Sequence, residues 1–297
     1  MPPQLGVLII GESARAQNFE YNGYNRPTNP FSKSYDLINF SNFTSCGVIT
    51  AISVPCMLTN LTHKTYTARN LSHYRDNILD IAKRAGFSVY FLSNNGGDCI
   101  CAVCKRLDSD KIIYYNNKHL DGDMLEKARQ IVHSESSAPI FLVLHLHGSH
   151  GAQYYMRYPQ EFEFFTPICT QSNLQECSRE SLLNAYDNSL RYTDFLIAQI
   201  IKEVQNLNAF VWYISDHGES LGENGMYMHG GLPYMLSPKE QTHIPSLLYV
   251  SDPSQRALAK RRQDERLNHD YVFHTLLHLL GIHTQDYEAR LDILRQE

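Results

Sequence analysis

The 297-residue chain has no apolar run long enough to cross a bilayer: IFLVLHL and AFVWYI are strand-sized. Its N-terminus, MPPQLGVLIIG, has no basic segment ahead of a short apolar stretch, so it does not read as a signal peptide. It has no basic excess either. Lys and Arg number 26 against 31 Asp and Glu, and the net charge of −5 gives no electrostatic case for nucleic acid. There is no internal repeat, low-complexity tract or linker; ESSAP (135–139) and SDPSQ (251–255) are too short to separate domains. Residues 1–297 are therefore expected to form one domain, expected as a monomer. Its first strand begins almost at residue 5, as in a domain cut from a longer protein.

What is present alternates. QLGVLII, FSVYFLS, IFLVLHL, AFVWYIS and IPSLLYV read as buried strands. RDNILDIAKRAG, DGDMLEKARQIVHS, the long SLLNAYDNSLRYTDFLIAQIIKEVQ and YVFHTLLHLLG carry helical apolar periodicity, with Gly86 and Gly281 placed to close two of them. Strands separated by helices predict an α/β fold with a mostly parallel central sheet covered by helices on both faces. Ligands of such sheets sit beyond the carboxyl ends of the strands.

Three polar clusters fall at such ends. Gly11-Glu12-Ser13 follows LGVLII, His147 to His150 follows IFLVLHL, and Asp216-His217 opens SDHGESLGENGMYMH, in which His229 returns twelve residues later. Glu12, Asp216 and His217 offer mixed oxygen and nitrogen donors that suit a divalent cation, zinc above all. Each alone has a plainer reading: a carboxylate after a strand is often a helix cap, and an Asp-His pair is often a hydrogen-bonded turn. Thr50, in SCGVITAISVPC, is a nucleophile candidate. Its plainer reading is an N-cap hydroxyl, and the two are compatible, because a helix N-terminus aims backbone donors at a phosphate.

Seven cysteines fall in three local clusters, Cys46/Cys56, Cys99/Cys101/Cys104 and Cys169/Cys177. That suits short-range disulfides in an oxidising compartment. Free thiols, or a metal site at Cys101 and Cys104, are the alternatives; a four-cysteine zinc ribbon lacks its second pair.

GESARAQNFEYNGYNRPTNP, SCGVITAISVPC, GSHGAQYYMRYP, SDHGESLGENGMYMHG and HDYVFHTLLHLLG, in that order, resemble the phosphoethanolamine transferases, which belong to the alkaline-phosphatase and sulfatase superfamily. The likeness runs from about residue 5 to residue 282. It implies a sulfatase-like catalytic domain on the periplasmic face of the Gram-negative inner membrane, without the family's N-terminal membrane domain. It implies one tightly bound zinc held by Glu12, Thr50, Asp216 and His217, with Thr50 as nucleophile. His150 and His229 would line the same pocket, on substrate phosphate or a second, weaker zinc. The donor would be phosphatidylethanolamine and the acceptor lipid A or another envelope molecule. The resemblance also implies disulfides Cys46–Cys56 and Cys169–Cys177. Cys104 could pair with Cys99 or Cys101; we take Cys99–Cys104, leaving Cys101 free.

Rival readings are a sulfatase, a phosphoglycerol transferase and a non-catalytic zinc-binding envelope protein. A sulfatase needs a C/S-x-P-x-R context, whereas Cys56 is followed by MLT. Three further histidines read as structural: His145 as a buried, hydrogen-bonded strand residue, and His274 with His278 as part of an apolar closing helix.

Overall fold

A computed structural model describes residues 4–96, 99–116 and 119–296, apart from the side chain of Cys101. Seven strands form the main sheet: β1 (Leu5–Gly11), β2 (Ile38–Asn39), β3 (Ser88–Ser93), β4 (Ile112–Tyr114), β5 (Ile140–His145), β6 (Ala209–Ser215) and β7 (Ser246–Val250). Their order across the sheet is β2-β7-β6-β1-β5-β3-β4. The five strands from β6 to β4 run parallel. β7 is antiparallel to β6 and to β2, so IPSLLYV is a strand as expected but runs against its neighbour.

The sheet is doubly covered, and the period-2 alternation of β1 shows it. Leu5, Val7 and Ile9 join a core with Ala128 of the helix Met124–Val132 and Leu190 of the helix Arg179–Val204. Leu8 and Ile10 face the opposite core, with Val54, Leu79 and Leu276 from the helices Thr50–Leu58, Ile78–Arg84 and Val272–Leu280. Burying each such side chain contributes about 1.5–3 kcal/mol.

Gly86 and Gly281 are both left-handed at the helix ends they were expected to close, those of Ile78–Arg84 and Val272–Leu280. Asn77 and Asp80 form a capping box at the start of Ile78–Arg84, which was not singled out in the sequence reading. The short strands Ile38–Asn39 and Ile112–Tyr114 and the helix Pro253–Arg261 have no counterpart in the sequence reading.

The register brings the site together. Gly11 pairs with Ser215, Ile10 with His145, and Ser93 with His145, so β1, β6, β5 and β3 end on one edge. The chain leaving each of them supplies polar residues to that edge.

Candidate active site

Glu12, Ser13, Asp216 and His217 are fully buried where β1 and β6 stop. Thr50 is the first residue of its helix, and no side chain caps that end. Its hydroxyl is turned away from the backbone and donates to Glu12 Oε2 at 2.9 Å, so Thr50 does not act as an N-cap. The loop that presents it is clamped from several sides. Cys46 and Cys56 are disulfide-bonded, and Gly47 N–H donates to Ser53 Oγ at 3.0 Å. A Cβ on Gly47 would stand 2.8 Å from Ile52 Cγ2, so this approach needs glycine.

His269 ties that loop to β6. Cys46 N–H donates to its Nδ1 at 3.0 Å, which leaves Nε2–H to donate to Ser215 O, also at 3.0 Å. Burial pushes the pKa of this imidazole down to about 3, in keeping with the neutral tautomer that the two bonds require.

His217 is the hub of the site. Its Nδ1–H donates to Gly218 O at 2.9 Å, so the lone pair of Nε2 faces the cluster, the tautomer a metal ligand needs. Nε2 lies 3.3 Å from Glu12 Oε1, 3.3 Å from Asp216 Oδ2 and 3.4 Å from Thr50 Oγ1. Donors at the corners of a tetrahedron, each roughly 2.0–2.1 Å from one zinc ion, stand about 3.3–3.4 Å apart. Asp216 Oδ1 accepts from the N–H groups of His217 and Ser13 at 2.7 and 3.2 Å, while Oδ2 is buried without a hydrogen-bond partner. An orphaned carboxylate oxygen aimed at three other donors fits a cation.

The electrostatics agree. Burial, and then the neighbouring Glu12 carboxylate, push the Asp216 carboxyl well above its usual range. Burial also raises Glu12, but the imidazoles of His217, His150 and His229 outweigh it and hold Glu12 well below the carboxylate range. Burial lowers the pKa of His217 to about 4, which keeps its nitrogen available as a ligand.

The two outer histidines come to the same place. Ligand atoms of Glu12, His217 and His229 all lie within 4.8 Å of one another, so His229 stands close enough to share an ion. Its Nδ1–H donates to Glu219 Oε2 at 2.7 Å, and Tyr154 OH donates to Glu219 Oε1 at 2.6 Å. Burial opposes charge on His229, but the Glu219 carboxylate prevails and raises its pKa. His150 Nδ1 is bonded to Gly151 O at 2.7 Å, and its ring meets that of His229 edge-on at 5.7 Å.

Three contributors were missed in the sequence. Asn95, just beyond β3, donates to Glu12 Oε2 at 2.6 Å; the paired Asn94-Asn95 after FSVYFLS was a readable sign. Ser13 Oγ donates to Glu12 Oε1 at 2.7 Å. Glu219 lies inside the SDHGES motif but was passed over for its neighbours. Among the structural histidines, His145 is buried and Asn95 Nδ2 lies 3.2 Å from its Nε2. His274 and His278 pack and pair in the closing helix, on Glu288 N–H and Asp292 respectively. The Cys99–Cys104 and Cys169–Cys177 disulfides are both formed, and the thiol expected at Cys101 lies outside the described side chains.

Residues 4–282 match the sulfatase family model. The periplasmic domain of phosphoethanolamine transferase EptC from Campylobacter jejuni superposes with a TM-score of 0.92 at 39% identity, covering 99% of this chain and 94% of that one. The chain belongs to the phosphoethanolamine transferases of the sulfatase family. Phosphoethanolamine transferase EptA of Escherichia coli K12 is 38% identical over 98% of the chain and 56% of its own length. The integral membrane lipooligosaccharide phosphoethanolamine transferase A of Neisseria meningitidis is 35% identical, with a TM-score of 0.90, covering 99% of this chain and 58% of that one. The chain thus spans a little over half the length of these longer relatives. Among the described residues no helix is long and apolar enough to cross a membrane.

Proposed function

We propose that this chain moves phosphoethanolamine from phosphatidylethanolamine, through a covalent adduct on Thr50, to lipid A or another envelope acceptor. It would work as a monomer at the periplasmic face of a Gram-negative inner membrane, joined to a membrane domain like that of its integral membrane relative. The observation that carries this reading is the convergence of Thr50 Oγ1, Glu12, Asp216 and His217 on one point, with the hydroxyl turned off its own helix and toward that point.

Glu12, Thr50, Asp216 and His217 would hold one zinc tightly, and His150 with His229 would serve a second, weaker site or the phosphate itself. When bound, zinc supplies positive charge that lowers the pKa of a hydroxyl such as Thr50 and offsets charge on a non-bridging phosphate oxygen. The chain's own groups do the rest. Thr50 Oγ1 gives up its proton to solvent and forms a bond to phosphorus, and the bond from phosphorus to the diacylglycerol oxygen breaks. Asn95 and Ser13 keep the Glu12 carboxylate in place while this happens. His229, favoured in its charged form by Glu219, faces the incoming phosphate and protonates the leaving oxygen. In the second half an acceptor oxygen displaces Thr50 Oγ1, its proton passing back to His229 or His150, and the hydroxyl is restored.

The test is direct. Protein incubated with phosphatidylethanolamine and digested under acidic conditions should yield a peptide carrying phosphoethanolamine on Thr50. If no adduct forms while diacylglycerol is still released, the covalent route is wrong.

A further inference from the structure

Immediately after His229 the chain makes a feature that the chemistry does not use. Residues 230–237 project as a short tip in which Met235 is 94% exposed, Leu236 69% and Leu232 40%. The tip is a built turn. Leu236 N–H donates to Pro233 O at 2.9 Å, Ser237 N–H to Tyr234 O at 3.1 Å, and Tyr234 OH anchors the turn to Ser45 O at 2.7 Å. Gly230 packs against Ile49, the residue before Thr50: a Cβ there would stand 3.0 Å from Ile49 Cγ2. The tip therefore rises from the rim of the site, and its anchored turn presents Met and Leu to solvent. Large apolar side chains held out in a group mark an interaction surface.

Facing the tip across a cleft of about 360 Å³ is the segment that carries His63, Tyr66 and Arg69. Residues 60–75, NLTHKTYTARNLSHYR, contain Lys64, Arg69, Arg75, His63 and His73 and not one Asp or Glu, in a chain whose net charge is −5. Tyr74, also in this stretch, is 83% exposed. An apolar tip beside an acid-free basic segment with an exposed tyrosine offers the three kinds of side chain that meet a lipid surface, at its acyl boundary, aromatic belt and anionic headgroups.

We infer that the tip Leu232–Leu236 and the basic segment 60–75 together dock this domain on an anionic bilayer, Met235 and Leu236 entering the headgroup–acyl boundary and Lys64 and Arg69 meeting the headgroups. This rests on the proposed lipid donor. It adds that the mouth of the site is held against the bilayer by the catalytic domain itself, in addition to any membrane anchor.

The experiment is co-sedimentation of the 297-residue chain with vesicles of phosphatidylcholine, with and without phosphatidylglycerol. The wild type should bind the vesicles that contain phosphatidylglycerol, and less so as salt rises. Met235→Asp/Leu236→Asp should weaken binding by about tenfold or more, since burying two such side chains exceeds the ~1.4 kcal/mol that tenfold represents. Lys64→Glu/Arg69→Glu should reduce the preference for phosphatidylglycerol. Both doubles change exposed residues, and each should turn over a soluble phosphoethanolamine ester like the wild type, which shows that they are folded. Equal vesicle binding by wild type and Met235→Asp/Leu236→Asp would overturn the inference. So would no binding to any vesicle, or a wild-type dimer in light scattering that this double splits, since a second copy would then cover the tip. A wild type that binds vesicles but turns over neither soluble ester nor vesicle lipid would instead sink the proposed function and leave the docking surface standing.

Discussion

Replacing Glu219 by Gln tests how the site works through a residue that touches neither the donor cluster's centre nor the nucleophile. The buried Glu219 carboxylate accepts from His229 Nδ1–H at 2.7 Å and from Tyr154 OH at 2.6 Å. Gln has one acceptor oxygen where Glu has two. If the oxygen stays on His229, the amide turns to Tyr154, which can accept; if the amide turns to His229, the imidazole must change tautomer and present Nε2–H to the phosphate. Either way the charge that raises the pKa of His229 is gone. A hydrogen bond to a charged group is worth about 1.5–3 kcal/mol, so transfer should fall roughly 10- to 150-fold. The acid form of His229 should also titrate at lower pH, shifting the corresponding limb of the rate–pH profile downward. Glu219→Ala, which strands two buried donors, should in addition cost about 1–3 kcal/mol of stability in urea unfolding. The assay is release of labelled diacylglycerol across a pH series, with the zinc content of each preparation measured in parallel. A Glu219→Gln protein with the wild-type rate and an unmoved profile would refute the positioning argument.

Thr50→Ala should abolish transfer while unfolding, after chelation, at almost the temperature of the chelated wild type, and Thr50→Ser should retain part of the rate; near wild-type turnover by the alanine protein would remove Thr50 as nucleophile. Protein purified without added metal should carry close to one zinc per chain by elemental analysis, and chelation should lower its melting temperature, because an ion that binds only the folded state stabilises it by mass action. His150→Ala should keep that zinc and lose most transfer; a zinc-free His150→Ala protein would place the imidazole among the tight ligands. Opening the loop with Cys46→Ala/Cys56→Ala should cost about 3 kcal/mol by the loop-entropy argument for this ten-residue separation, read as a shift in denaturant midpoint. The hydrogen bond to Asp292 raises the pKa of His278 above its ordinary value, so the folded state holds that proton more tightly than the unfolded one. The stabilisation is complete below the unfolded histidine pKa of about 6.5 and is lost as pH rises through the folded value. Unfolding curves between mildly acidic and mildly alkaline pH should therefore be steeper in pH for the wild type than for His278→Gln, and parallel curves would contradict it.

Much of this arrangement is legible in the sequence. The strands β1, β3, β5 and β6 are continuous apolar runs because both their faces are covered, and such runs announce themselves. Their polar termini, Glu12 and Asp216-His217, could be placed on one edge from the parallel-sheet rule alone. Short and edge elements could not be read so. Ile38–Asn39 is two residues long, and Ile112–Tyr114 is only half-buried, so neither leaves a pattern in sequence. The direction of β7 was hidden for another reason: SLLYV is equally apolar whichever way it runs, so its pattern carries no sign of the antiparallel pairing with β6. The supports of the site were the hardest to see. Asn95 and His269 act on residues far away along the chain: the Asn94-Asn95 pair marks a strand end but not its target, and nothing local distinguishes His269 from a helix-initiating histidine.

Those supports bear on why the proposed cation would sit at this place. Glu12, Thr50, Asp216 and His217 come from three distant parts of the chain, and each is held by bonds beyond those that Thr50 makes to Glu12 and His217 N–H makes to Asp216. Ser13 and Asn95 hold Glu12, the N–H groups of Ser13 and His217 hold Asp216, Gly218 O holds His217, and His269 and the Cys46–Cys56 bridge hold the loop of Thr50. With the ligands fixed from outside, they cannot relax apart, and two buried carboxylates are kept together at a cost that raises the pKa of Asp216 and leaves its Oδ2 without a partner. A divalent cation removes that cost at a stroke, satisfying the orphaned oxygen and both negative charges. The repulsion that the ion would relieve then adds to its affinity. Weakening a support such as Asn95 should therefore lower zinc affinity even though Asn95 is not itself a ligand.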